Sequence, residues 1–339
     1  MALVFNGRCL LRPVGGVERY ARMLLEALVA LRIPVRVVMP AKGPEPMDLP
    51  QGLDLERRGS MSGHAWEQLV LPAALRTENI LLSPANTGPL RVRRQFVVVH
   101  DLAFLHDPTW FDVRFARWYG FLLPRLVRRC AGVIAVSGTV RQELIRTFAL
   151  PADKVHLVPP FASALPAPVA LDGIAPGFHL FVGADDPRKD VTRSLELLLQ
   201  ADPEAIAVVV GRQRRSFQGA GISDDPRVRQ VHDATDGQLA WLYDKARCLV
   251  YPSRYEGFGL PVLEALSRGC PVIARPLPVF AEAFGDAFHA CAFTGSADLS
   301  EALRSIPPVL SARQAHPVTA RYTLQRTSTA LARAIDLPH

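Results

Sequence analysis

Short apolar runs of four to six residues recur along the chain, separated by stretches with helical period. Ala2–Phe5, Val35–Met39, Asn79–Leu82, Phe96–Val99 and Gly132–Val136 are such runs in the first half. They lack polar alternation, which is the pattern of parallel strands buried on both faces. Val17–Leu31, Phe111–Arg129 and Thr139–Phe148 carry the helical period between them, and Ser137 is placed to cap the third. Strand–helix alternation of this kind predicts a doubly wound α/β fold on a parallel sheet.

The pattern is interrupted once. Ser163–Gly177 is rich in proline, holds two glycines and has neither period, so it reads as an interdomain linker. Beyond it the alternation restarts, with strands at His179–Val182, Ala205–Val210, Cys248–Tyr251 and Pro271–Ala274. Helices are expected at Val191–Leu199, Asp236–Lys245, Leu260–Ser267 and Leu324–Ile335. A chain of 339 residues has room for two such domains. The expectation is therefore two Rossmann-like domains, 1–163 and 178–339, joined through 164–177 and facing a cleft. The last helix is free to pack back on the first domain.

Charge divides along the same boundary. Residues 1–163 hold 21 Lys and Arg against 13 Asp and Glu, whereas the remainder holds 18 against 19. The positive excess suits phosphate or an anionic surface. Nucleic acid is not expected, because no recognised module or dense Lys/Arg stripe accompanies it. No apolar run nears the ~18 residues of a membrane-crossing helix, and Asn6 and Arg8 arrive too early for a signal-peptide core. The five cysteines are odd in number, dispersed and without CxxC, which argues for a reducing, cytoplasmic setting and against a zinc site.

Open parallel sheets bind ligands beyond the carboxyl ends of their strands, and four segments there carry chemistry. Gly15-Gly16 precede a helix start, where bare backbone amides favour an anion; a plain tight turn fits these two residues equally well. Asp185-Asp186-Pro187-Arg188-Lys189 follows the strand His179–Val182, and its adjacent cations suit a diphosphate, or else a solvated helix start. Tyr251 to Leu266 is the most specific: a strand end, a loop with Glu256, Gly257, Phe258 and Gly259, then a helix from Leu260 that carries Glu264. Two carboxylates on one strand–loop–helix unit can hold two sugar rings of one extended ligand. His100, closing the strand Phe96–Val99, can donate to a ligand hydroxyl or be satisfied by its own loop. HExxH, Walker A and GxSxG patterns are absent, and neither Asp185-Asp186 nor Asp224-Asp225 makes a convincing metal-binding DxD pair.

Glu256 and Glu264 within YEGFGLPVLEA resemble the E-x7-E element of retaining, two-domain (GT-B) glycosyltransferases of the family 4 type. Other segments are similar in the order such enzymes show: NGRCLLRPVGGVERYARMLLEAL, VVVHDLAFLHDP, AVSGTVRQEL and VGADDPRKD. AEAFGDA keeps Glu282 and Gly285-Asp286 of the usual "PEVxGDA" but lacks its proline, and Gly138 and Thr139 also depart from the pattern.

The resemblance implies a set of roles. Glu264 would bond the nucleotide ribose and Glu256 the transferred sugar, with the Gly257–Leu260 backbone donating to sugar and phosphate. Arg188 and Lys189 would stabilise the diphosphate leaving group without metal or cofactor. Gly15 and Gly16 would complete the diphosphate clamp and His100 would touch the sugar. It further implies retention of anomeric configuration and a glycan or lipid-diphosphate-linked acceptor. The N-terminal pattern leans toward O-antigen or exopolysaccharide assembly with GDP-mannose as donor, ahead of UDP-glucose or a deoxyhexose donor. Trp110–Arg129 combines Arg114, Arg117, Arg125, Arg128 and Arg129 with six aromatics, which suits peripheral contact with an anionic membrane or, alternatively, a core helix with one solvated side. A non-catalytic binding module and a sugar-nucleotide epimerase on the same fold are the competing readings. Removing Lys189 or Glu256 is expected to cost turnover far more than stability.

Overall fold

The computed structural model describes residues 3–46, 48–183, 186–211, 225–306 and 314–335. The chain divides into two compact units, one of Met1–Leu105, Arg117–Phe161 and Tyr322–His339, the other of His106–Ala116 and Ala162–Arg321. Each is built on a fully parallel sheet.

The first sheet has seven strands: β1 (Leu3–Asn6), β2 (Val35–Pro40), β3 (Asp54–Arg58), β4 (Ile80–Ser83), β5 (Gln95–Val99), β6 (Gly132–Ala135) and β7 (Val155–Leu157). Their order is β3-β2-β1-β4-β5-β6-β7, so the winding reverses between β1 and β4. Register is set by pairs such as Leu3 with Val35 on one side of β1 and Ile80 on the other. Helices α1 (Gly16–Ala30), α2 (Gly63–Leu69), α3 (Ala103–His106), α4 (Val113–Arg129) and α5 (Gly138–Phe148) run between these strands. Ser137 caps α5, accepting from the Val140 amide at 3.1 Å.

The second sheet has six strands: β8 (His179–Val182), β9 (Ala207–Val210), β10 (Val228–Val231), β11 (Cys248–Tyr251), β12 (Val272–Ala274) and β13 (His289–Ala290). In the order β10-β9-β8-β11-β12-β13, the reversal falls between β8 and β11. Helices α6 (Val191–Ala201), α7 (Asp236–Lys245), α8 (Leu260–Ser267), α9 (Pro278–Phe284) and α10 (Ser296–Ser305) complete this unit. Its core gathers Phe181, Leu195, Leu198, Val209, Val250, Ile273, Phe293 and Leu299, in which α6 and α10 pack on one face of the central strands.

The inner strands lie where the apolar runs place them; β3, β7, β10 and β13, the outermost strands of the two sheets, are not among those runs. Their sequences DLERR, VHL, VRQV and HA are short or largely polar, and only Val155 and Val228 among them are buried. An edge strand need not be apolar on both faces. Two segments group differently from the sequence boundaries, and a third takes the course the sequence leaves open. Residues 106–116 cluster with the second unit, where the His106 ring packs on Tyr255 with centroids 4.2 Å apart. The proline-rich stretch is tied to that unit too, Val169 N donating to Gly237 O and Gly177 N to Lys245 O. Helix α11 (Leu324–Ala334) returns to the first unit, packing on α1 and donating from Thr327 Oγ1 to Pro159 O at 2.9 Å. All five cysteines are buried thiols.

Candidate functional site

At the end of β8 the chain passes Gly183, whose φ of +91° and lack of a side chain let it turn away beside the Lys189 stem. A Cβ there would sit 3.3 Å from Lys189 Cε. Pro187–Lys189 then form a single 3-10 turn capped by Asp186, whose Oδ1 accepts from the Arg188 amide at 3.0 Å. Asp185 lies outside the described residues, as does Asp224. The turn aims Lys189 across the reversal point, toward the end of β11.

There it meets its partners. Lys189 Nζ donates to Glu256 Oε1 at 2.5 Å and to the Tyr251 hydroxyl, and it lies 4.4 Å from the Tyr251 ring centroid. The Glu256 and Lys189 side chains are 9% and 12% exposed, so this is a buried ion pair. Burial alone would raise the Glu256 carboxyl, but Lys189 and then Arg188 outweigh it and hold it below its ordinary value. The Tyr251 hydroxyl is pushed well above its usual range by burial and by the Glu256 carboxylate, so it stays protonated. Arg188 is paired as well, its Nε and Nη2 reaching Asp186 Oδ2 at 3.1 and 2.8 Å. Both cations are therefore held in place by carboxylates, a pre-organised pair rather than two mobile surface charges.

The loop after Tyr251 owes its shape to Gly259. Its φ is +100°, and a Cβ would meet Phe280 Cε1 at 2.6 Å. Gly259 caps α8, which begins at Leu260 with Pro261 in its first turn. Gly257, Phe258 and Gly259 are buried, and Phe258 turns its ring onto Phe284 at 5.7 Å. Only the backbone of this segment is left to face a ligand. Glu264, one turn into α8, is 9% exposed and accepts from the Tyr243 hydroxyl at 3.0 Å. Lys189, Arg188, Glu256 and the α8 start are thus gathered at one reversal point, the place where open parallel sheets hold their ligands. The sequence reading assigned no role to Tyr251 or Tyr243. Tyr251 was legible as the strand's last residue, whereas Tyr243 sits on a different helix, α7, and carried no signal.

In the first unit, Gly15 and Gly16 follow β1 on its reversal side. Helix α1 begins at Gly16, and the Gly15 amide donates to Glu18 Oε2 at 3.0 Å. Glu18 also pairs with Arg12 at 2.9 Å, so the Gly15 donor is engaged locally. His100 follows β5. Its Nε2 lies 2.7 Å from Pro84 O, and because a carbonyl only accepts, Nε2 carries the proton. Burial lowers the ring's proton affinity despite that bond. The Nε2 proton is thus engaged by the loop that precedes β5, one of the two options the sequence leaves open, and in the neutral ring Nδ1 is an acceptor.

Helix α4 starts at Val113, two residues later than its period suggests, with Asp112 Oδ1 accepting from the Arg114 amide at 2.8 Å. Tyr119, Leu122, Leu123, Leu126 and Val127 are buried, while its five arginines with Arg114 first and Arg129 last are all exposed. Among the described residues, no helix is long and apolar enough to cross a membrane and no three His, Cys, Asp or Glu form a metal-binding group.

Two family models match the chain, "Glycosyltransferase Family 4" over residues 14–164 and "Glycosyl transferases group 1" over residues 175–307. The chain is 28% identical over 222 residues to the O-antigen chain mannosyltransferase RfbU of Salmonella typhimurium, covering 64% of this chain and 62% of that one. It is 28% identical over 218 residues to the O-antigen chain mannosyltransferase B of Escherichia coli, covering 59% and 57%. The matches thus span about three fifths of these relatives. Among solved structures, Anabaena Alr3699/HepE in complex with UDP and glucose superposes with a TM-score of 0.71 at 16% identity, over 99% of both chains. Two parallel α/β units and two adjoining family models lead to one assignment: the chain belongs to the group 1, family 4 glycosyltransferases and has their GT-B fold.

Proposed function

We propose that this protein transfers a hexose from a nucleotide-sugar donor to a glycan acceptor during O-antigen or related polysaccharide assembly, with retention of configuration. The observation that carries the reading is the buried Lys189–Glu256 pair at the β8/β11 reversal, beside the glycine-capped start of α8. Sugar-nucleotide cleavage leaves a nucleoside diphosphate, and its developing charge needs cations already in place. Lys189 meets that charge, and Arg188 can do so by exchanging Asp186 for a phosphate oxygen. Glu256 faces the sugar, Glu264 the ribose, and the α8 amides the phosphate. In this scheme no metal takes part, since the side-chain cations carry the neutralising charge.

Several relatives are named mannosyltransferases, which favours GDP-mannose as the donor. The arginine face of α4 and the 47% exposed Phe121, with Arg125 stacked 3.9 Å from its ring centroid, favour a lipid-diphosphate-linked acceptor at an anionic bilayer surface. A cytoplasmic enzyme working peripherally at the inner membrane face fits these features. The test is a thermal-shift screen against GDP, UDP, their sugars and EDTA, followed by product analysis of the stabilising donor. GDP and GDP-mannose should raise the melting temperature, EDTA should leave transfer unchanged, and the product should keep the donor's anomeric configuration. Stabilisation by no nucleoside diphosphate would overturn the reading.

A further inference from the structure

Asp190 follows Lys189 directly and has a φ of +52°, a left-handed conformation that Asp tolerates better than most residues. It stands at the N-cap position of α6, where Asp commonly accepts from a helix amide, yet its side chain makes no capping bond. The carboxylate, 7% exposed, turns instead to two arginines: Arg254 Nη2 at 2.8 Å and Arg275 Nη2 at 2.6 Å. These come from different segments. Arg254 lies two residues before Glu256, and its backbone N donates to Arg188 O at 2.9 Å. Arg275 is the first residue after β12; its Nε donates to Pro252 O at 2.8 Å and its Nη1 to Ala292 O. One carboxylate therefore ties together the ends of β8, β11 and β12, three adjacent strands, and Arg275 extends the tie past β13.

We propose that Asp190 is a positioning residue, which through Arg254 and Arg275 fixes the backbone that carries Lys189 against the backbone that carries Glu256. The assignment rests on the diphosphate role of Lys189 given above. Lys189 has a long, rotamer-rich stem, so the position of its root sets where Glu256 and Tyr251 hold its ammonium. A displacement of about 1 Å at a reacting group can cost on the order of 100-fold in rate. A helix cap would require none of these arginine contacts, and a lone surface ion pair would not span three loops.

The test is a double-mutant cycle on nucleoside diphosphate affinity, measured by calorimetry with GDP and UDP. Asp190→Asn tolerates the same backbone conformation and loses only the charge. It should weaken binding about tenfold in the otherwise native protein, and less than twofold when added to Lys189→Met. Arg254→Gln, at a half-exposed side chain, should reproduce part of the loss, and it carries the cycle if Asp190→Asn does not fold. Wild-type affinity in the Asp190 or Arg254 variants, or an equal loss in both backgrounds, overturns the positioning role. Unchanged affinity in Lys189→Met alone overturns the diphosphate reading itself, and that failure is visible before Asp190 is touched.

Discussion

Replacing Lys189 by Met removes one half of a buried ion pair and leaves the other half behind. The carboxylate of Glu256 is 9% exposed, so solvent does little to compensate it. Breaking such a pair from one side costs about 3–5 kcal/mol. Beyond the loss of turnover expected from sequence, the variant should therefore also be less stable. At the lower bound of ~3 kcal/mol, a unit of this size loses roughly 6–12 °C in melting temperature. The loss should depend on pH in a defined direction. In the native protein Glu256 is held below its ordinary value, so it contributes stability above the usual carboxylate range and loses it as pH falls. Without Lys189, burial, the largest influence on this carboxyl, is opposed chiefly by Arg188, so it titrates at higher pH than in the native protein. The gap between variant and native protein should thus be widest near pH 7–8 and narrow as pH falls through the carboxylate range. Scanning calorimetry across pH 4–8 measures it, and Lys189→Met/Glu256→Gln should recover most of the stability at pH 7 without recovering transfer. A gap that stays constant or widens in acid would refute the reasoning.

Further outcomes follow from single positions. Gly259→Ala should cost about 2–3 kcal/mol by chemical denaturation, because it strains a φ of +100° and drives a methyl to 2.6 Å from Phe280. Glu264→Gln should weaken GDP and UDP binding about tenfold by calorimetry, and Tyr243→Phe, which removes one hydrogen bond to that carboxylate, should weaken it less. His179, 1% exposed, is pushed down to about 4 by burial and then by Arg247. It is neutral when folded, whereas the unfolded chain takes up a proton below about pH 6.5. About 3 kcal/mol of stability is therefore present above pH 6.5 and lost as pH falls toward 4. Urea titrations should show His179→Phe losing less stability than the native protein over that interval.

The sequence determined the fold class and the order of the inner strands' segments, because unpatterned apolar runs between helical stretches admit few structures besides a parallel α/β sheet. It also put Glu256, Glu264, Arg188 and Lys189 on the segments that follow β8 and β11, where the structure has them, since motif spacing is local. The edge strands β3, β7, β10 and β13 stayed hidden because their pairing is decided by neighbours, not by their own hydrophobicity. What tertiary structure alone decided is which charges meet. Lys189 and Glu256 are 67 residues apart, and Asp190 and Arg275 are 85 apart. Nothing in either segment specifies the other. They become partners because winding reverses between β8 and β11, which brings the ends of strands distant in sequence side by side. The same closeness excludes water and so turns ordinary side chains into a coupled, buried pair.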